Sequence, residues 1–293
     1  MSFIENIDYE LNFDFSRHTT YGLGGKAGIA YYPKNFEEVK AVINYLKHIK
    51  KDYVILGNGS NILASDKYFN GAVISTKNLN SIEIKNESII CGSGVKVYEF
   101  LKFCIKYGAV GYEYLAGIPA TLGGITYMNG GVPRRHIGDD IVNVWIFDGK
   151  IRKLTNQNCN FGNKYSTMRD ISACILQIEL PFFRSESQVV RQNIKNYLLS
   201  RKNQPTGRSC GCVFKNSINY SAGKLIDECG LKGFSIGNAY VSHKHANFII
   251  NNGGSAQNVF NIISFIKRKV YEKTGILLEE EVVYIGEFDD FNG

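Results

Sequence analysis

Three glycine-rich stretches stand out as residues able to do chemistry: Gly22-Leu23-Gly24-Gly25, Gly57-Asn58-Gly59-Ser60-Asn61 and Gly117-Ile118-Pro119-Ala120-Thr121-Leu122-Gly123-Gly124. A pyrophosphate needs backbone N–H groups aimed inward with no Cβ in the way, and glycine permits this because it tolerates positive φ and close approach. Ser60, Asn61 and Thr121 add side-chain donors suited to phosphate oxygens. Each stretch taken singly is also an ordinary turn. A Rossmann fingerprint would need G-x-G-x-x-G between a strand and a helix, followed by an acidic residue about twenty positions on. Gly57-Asn58-Gly59 is followed by Ser60-Asn61-Ile62 and has no third glycine, so a dinucleotide here calls for a different fold.

A second group of reactive residues lies further along: Cys210 and Cys212, His243 and His245, and the run Glu279-Glu280-Glu281. The C-x-C and H-x-H spacings miss the common zinc pattern, and no metal is expected. Free cysteines are usually small buried hydrophobes, and three adjacent glutamates usually form a solvated turn.

These residues need elements to position them. Val39, Val42, Ile43, Leu46 and Ile49 recur at helical spacing over 36–50, with Asn35 as N-cap. Tyr53–Leu56 reads as a strand running straight into the second glycine turn. Strands are also predicted at 72–76, 82–84, 89–91, 142–147 and 175–180, and an amphipathic helix over 97–107. The later part predicts helices at 222–229 and 256–273 and strands at 240–241, 247–250 and 282–285. The fold class expected is α+β. A first region over 1–184, in subdomains of about 1–77 and 78–184, is followed by a linker helix at 185–204 and a C-terminal α+β domain at 205–293.

The chain has 293 residues, 44% of them hydrophobic, enough for about two cored domains. The opening MSFIENIDYELNFDF is acidic and has no apolar run, which predicts neither a signal peptide nor a membrane span, and hence a cytoplasmic protein. Seven cysteines in apolar settings predict a reducing compartment. The net charge of +7 is spread without a dense basic run, which argues against nucleic acid and is compatible with phosphate-bearing ligands.

Taken in order, Thr19-Thr20-Tyr21-Gly22-Leu23-Gly24-Gly25, GNGSN, AGIPATLGG with Tyr127-Met128-Asn129, RKNQP, CGCVFKN, AGKLIDECGLKG, SHKHANF and LEEEV span nearly the whole chain. This set resembles the UDP-N-acetylenolpyruvoylglucosamine reductase family. The resemblance implies two FAD-binding subdomains of the vanillyl-alcohol-oxidase (PCMH) type and a C-terminal substrate domain. It also implies non-covalent FAD, NADPH, a UDP-sugar substrate of peptidoglycan synthesis and a monomer. The short span between Phe183 and Arg201 points to the subtype without a tyrosine-bearing insertion.

The same resemblance implies site residues. The family's proton-donating serine lies in G-S-x-F-K-N, which here reads Gly211-Cys212-Val213-Phe214-Lys215-Asn216, so Cys212 takes the acid position; a thiol ionises near pH 8.5, roughly, and donates a proton more readily than a hydroxyl. The family's L-x-P-E-V glutamate maps to Glu281. Its F-x-Y-R-x-S arginine maps to Lys164, which keeps the charge and loses the planar fork, with Arg169 the alternative if the alignment slips. FAD would rest on Gly57, Asn58, Gly59, Ser60, Asn61, Gly117, Ile118, Pro119, Thr121, Gly123 and Gly124. Substrate would meet Lys215, Asn216, Lys224, Arg201 and Gln204, of which Lys224 and Arg201 read equally as surface charge. Two other readings stay open at this point: a degenerate flavin-binding protein without turnover, motivated by Lys164, Cys212 and the Val132–His136 loop, and an FAD-linked oxidase with flavin attached through His136.

Overall fold

The computed structural model describes residues 4–291. Its chain divides into two compact units, one of Met1–Glu10, Ile29–Asn58 and Ala72–Lys202, the other of Leu11–Gly28, Gly59–Gly71 and Asn203–Gly293. The chain therefore passes from the first unit to the second inside the GNGSN turn.

The first part of the chain forms β1 (Tyr9–Asp14), β2 (Lys26–Tyr31), α1 (Phe36–His48), β3 (Tyr53–Leu56), β4 (Ile62–Ala64) and β5 (Phe69–Ser75). Helix α1 starts where Asn35 Oδ1 accepts from Glu38 N at 2.9 Å, the N-cap bond that satisfies one orphan donor. Its apolar stripe, Val39, Val42, Ile43 and Leu46, is fully buried against Ala72, Ile74, Phe147 and Leu176. Strand β3 runs parallel to β5, Tyr53 opposite Ala72 and Leu56 opposite Ser75, in a sheet ordered β1-β2-β5-β3.

Next come β6 (Ile82–Lys85), β7 (Ser88–Gly92), α2 (Val97–Tyr107), α3 (Leu122–Tyr127), the hairpin β8 (Gly131–Val132) and β9 (Arg135–His136), then β10 (Asn143–Phe147) and β11 (Ile151–Thr155). The short helices α4 (Asn156–Cys159) and α5 (Thr167–Asp170) lead to β12 (Cys174–Pro181) and α6 (Ser187–Ser200). Strands β11-β10-β12-β7-β6 make an antiparallel five-stranded sheet. Phe100, Leu101 and Cys104 of α2 share a core with Ile89, Cys91, Val144, Ile146 and Ile178 of that sheet. Helix α2 stops at Gly108, whose φ of 69° is the left-handed C-terminal geometry glycine supplies.

The remainder folds as α7 (Ala222–Glu228), β13 (Ser235–Ile236), β14 (Ala239–Val241), β15 (Ile249–Asn251), α8 (Ala256–Thr274) and β16 (Val283–Ile285). Helix α8 carries Val259, Ile262, Ile263, Ile266 and Val270 into a core with Val213, Phe214, Ala239 and Val241. Its first turn is capped by Ser255 and by Asp66, whose two carboxylate oxygens accept from Ala256 N and Gln257 N at 3.1 Å each. Strand β16 pairs in parallel with β4, Val283 opposite Ile62.

One local expectation changes. The stretch Gly117–Gly124 is only partly a turn, because Gly123 and Gly124 lie in the first turn of α3, capped by Thr121 Oγ1 accepting from Gly124 N at 3.2 Å. Glycine density read as loop hides a helix whose start is set by its cap.

Candidate active site

In the first unit the second and third glycine stretches meet. Asn58 Nδ2 donates to Pro119 O at 2.6 Å, and a Cβ at Gly57 would stand 2.4 Å from Thr121 Oγ1. Leu122 N donates to Val95 O and Gly123 N to Ser93 O, which draws the start of α3 onto the Gly92-Ser93-Gly94 turn; a Cβ at Gly123 would lie 2.6 Å from Ser93 Cβ. Gly117, Pro119 and Gly124 are exposed, and Ile118 half-buried, along this rim. The buried hydroxyls of Ser93 and Thr126 have no hydrogen-bond partner among the described residues, unusual for buried polar atoms. Exposed glycines at 117 and 124, on a backbone drawn close to its neighbours at Gly57 and Gly123, fit a phosphate-bearing group at this rim.

Arg201 also belongs to this unit. Its Cδ would lie 3.2 Å from a Cβ on Gly117, and among the described residues it makes no ion pair; burial pushes its pKa down. That places the guanidinium beside the AGIP turn. Lys164 sits in a tight turn closed by the Gly162–Tyr165 bridge, at φ 53°. Arg169 Nη1 donates to the Lys164 carbonyl at 2.5 Å, so the alternative cation serves to hold the turn that presents the first. The same turn is tied to Asn129, whose Nδ2 donates to Gly162 O at 2.8 Å.

In the second unit Gly59 presses on the His18 carbonyl, which a Cβ would meet at 2.2 Å, and its own carbonyl accepts from Thr20 N. Asn61 Nδ2 donates to the Glu281 carbonyl at 2.8 Å, and Val283 N donates to Asn61 O at 2.9 Å. Asn61 thus anchors the LEEEV segment by its side chain and its backbone. Ser60 lies half-buried between these two anchors.

The extended segment 210–216 runs beside that anchor. Cys212 bridges Phe248 and Phe214 bridges Glu280, both antiparallel, while Glu281 N donates to Val213 O at 2.7 Å and Lys215 N to Glu279 O at 2.8 Å. This register separates the three glutamates. Glu279 forms an ion pair with Lys215 and Glu280 one with Lys267 at 2.7 Å, whereas Glu281 lies beside the backbone of Val213, next to Cys212. The two thiols differ as well: Cys212 is half-buried, whereas Cys210 is 7% exposed, faces the Tyr21 hydroxyl at 3.5 Å and is pushed up to about 12 by burial. No group of three or more His, Cys, Asp or Glu among the described residues is arranged to hold a metal ion. Asn216, Lys224 and Gln204 are exposed; Asn216 Oδ1 accepts from Ala222 N at 2.9 Å and so fixes the start of α7, and Lys224 approaches Glu228 at 3.6 Å. Sequence reasoning passed over Asn247, Asn61 as an anchor, and Ser93. A polar residue opening an apolar run, as in Asn247-Phe248-Ile249-Ile250, is the signal that could have found the first.

Two family models match the chain: residues 27–154 fit one described as an FAD binding domain, and 203–285 fit one described as UDP-N-acetylenolpyruvoylglucosamine reductase, C-terminal domain. Fold and matches together define the class: an FAD-binding domain of mixed helix and strand followed by a C-terminal domain of the UDP-N-acetylenolpyruvoylglucosamine reductase type. The sequence is 34% identical to the UDP-N-acetylenolpyruvoylglucosamine reductase of Caldanaerobacter subterraneus, over 94% of this chain and 93% of that one. It is 35% identical to that of Prochlorococcus marinus, over 97% of this chain and 100% of that one. A crystal structure of UDP-N-acetylenolpyruvylglucosamine reductase from Thermus caldophilus superposes with a TM-score of 0.81 at 30% identity, covering 96% of this chain and 99% of that one. The chain belongs to the UDP-N-acetylenolpyruvoylglucosamine reductase family.

Proposed function

We propose that this protein reduces the enolpyruvyl ether of UDP-N-acetylenolpyruvoylglucosamine to UDP-N-acetylmuramate, a cytoplasmic step of peptidoglycan precursor synthesis, with NADPH as reductant and non-covalent FAD as carrier. When bound, FAD supplies a two-electron relay between NADPH and C3 of the enolpyruvyl group. Gly57–Asn61 and Gly117–Gly124, with the N-terminus of α3, offer close approach and donors to its phosphates. Reduction at C3 builds negative charge at C2 and the neighbouring carboxylate, so a proton donor and a cation are required there. Cys212 holds the proton delivered to C2. Glu281 stands beside it in register to orient that transfer, and Lys164 supplies positive charge toward the substrate carboxylate. Lys215, Asn216, Lys224 and Gln204 bind the nucleotide sugar, and Arg201, beside Gly117, is placed to meet an anionic group.

The reading rests on one observation above the others: a half-buried thiol and a carboxylate are held on adjacent extended segments by the Glu281 N to Val213 O bond of 2.7 Å. Anaerobic titration of the flavin-loaded protein tests it. NADPH should bleach the flavin spectrum and the enolpyruvyl nucleotide sugar should restore it; bleaching with no restoration by that substrate rejects the proposal.

A further inference from the structure

Phe214 lies two residues beyond Cys212 and is 1% exposed, so its backbone N–H and C=O must find partners inside the protein. Cys212 has an antiparallel bridge to Phe248, but the chain facing Phe214 is the turn that leads into Phe248, where Phe248 N donates to His245 O at 3.0 Å. No strand is available there. The side chain of Asn247 stands in for one: Phe214 N donates to its Oδ1 at 2.8 Å, and its Nδ2 donates to Phe214 O at 2.8 Å. A carboxamide carries the same donor and acceptor as a peptide group, so it completes the ladder that the backbone cannot. The rest of Asn247 is equally committed. Its carbonyl accepts from Val213 N at 2.9 Å and its N–H donates to His245 Nδ1 at 3.3 Å, and the residue is 1% exposed.

The opposite flank of the segment is held by Glu281 N on Val213 O and Lys215 N on Glu279 O. Residues 213 and 214 are therefore clamped between Asn247 on one side and the glutamate run on the other. Without the amide, one flank loses two of its bonds and the segment can shift along Glu281.

We propose that Asn247 is a positioning residue, whose side-chain amide sets the register of residues 212–214 against Glu281 without touching the substrate. This rests on the reading of Cys212 as proton donor. Misplacement of a reacting group by about 1 Å costs on the order of 100-fold in rate, so the effect belongs to the proton-transfer half of the cycle alone.

The experiment uses the flavin-loaded full chain and its N247A and N247D variants, with flavin reduction by NADPH and reoxidation by the enolpyruvyl substrate measured separately. Reoxidation should slow by about 10- to 100-fold in N247A while reduction stays within about twofold. In N247D the ionised carboxylate accepts from Phe214 N but cannot donate to Phe214 O, whereas the protonated acid can do both. Its reoxidation rate should therefore recover as pH falls, a limb the parent protein lacks. Alkylation of Cys212, followed by mass spectrometry, should be faster in N247A. Unchanged reoxidation in folded N247A, or equal slowing of both half-reactions, overturns the proposal. Should N247A fail to accumulate folded, a flat pH profile for N247D overturns it. A parent protein that is never reoxidised by the substrate rejects the function proposed above; an unchanged Cys212 alkylation rate in N247A then rejects the positioning role as well.

Discussion

The glycine rim of the first unit and the Cys212 segment of the second achieve fixed geometry by opposite means. At the rim, neighbours leave no room: a Cβ would lie 2.4 Å from Thr121 Oγ1 at Gly57 and 2.6 Å from Ser93 Cβ at Gly123. At Gly211, beside Cys212, nothing lies within 4 Å of a Cβ, and the position of the segment comes from directional bonds by Asn247, Glu279 and Glu281. Exclusion makes a site sensitive to added volume. Directional bonding makes it sensitive to lost donors and acceptors.

The contrast can be broken at several points. The largest effect is expected from Cys212→Ala, which removes a proton donor and should lower turnover by about 10²- to 10⁴-fold while NADPH still bleaches the flavin; Cys212→Ser should keep activity. Steady-state kinetics with both half-reactions resolved decide this, and full turnover by Cys212→Ala would deny the segment its chemistry. Gly123→Ala comes next. Overpacking against Ser93 should cost about 1–3 kcal/mol, read from urea unfolding, and should weaken FAD binding.

Alkaline titration compares the cores instead. Burial pushes Cys174, in the first unit, and Cys210, in the second, up to about 12, well above a free thiol. Both folded pKa values are raised, so their contribution is fully present below about pH 9 and is lost as pH climbs toward 12. The loss is at most about 1.4 kcal/mol per thiol for each pH unit. Urea midpoints at pH 7 and pH 10 should therefore differ, and Cys210→Ala should shrink the difference. The smallest effect is expected at Gly211→Ala. Only the φ of 82° opposes it, at a cost of about 1 kcal/mol, again read from urea unfolding. A loss larger than that of Gly123→Ala would reverse the comparison.

Much of the fold was legible from local chemistry. Helices α1, α2 and α8 lie where apolar periodicity and end signals place them, with Asn35, Ser255, Gly108 and Gly275 at their termini. Strands β7, β10 and β12 fall within a residue or two of their apolar runs. Helix α3 was not legible, because two glycines in its first turn outweigh its propensity, and the Thr121 cap with the packing of Leu122 and Ile125 holds it. Strand β4 was not legible either, since three residues carry no period and its partner β16 lies near the other end of the chain.

The candidate site divides along the same line. Residue types alone marked the glycine turns, because close approach and positive φ select glycine whatever the context. They marked Cys212 and Glu281 only through an ordered set of motifs. Which of three glutamates bonds the Val213 carbonyl through its backbone, that Arg169 supports the Lys164 turn, and that Asn247 substitutes for a missing strand were decided by tertiary structure. Each depends on hydrogen-bond register between segments far apart in the chain, and register is a property of the pairing, carried by neither segment alone.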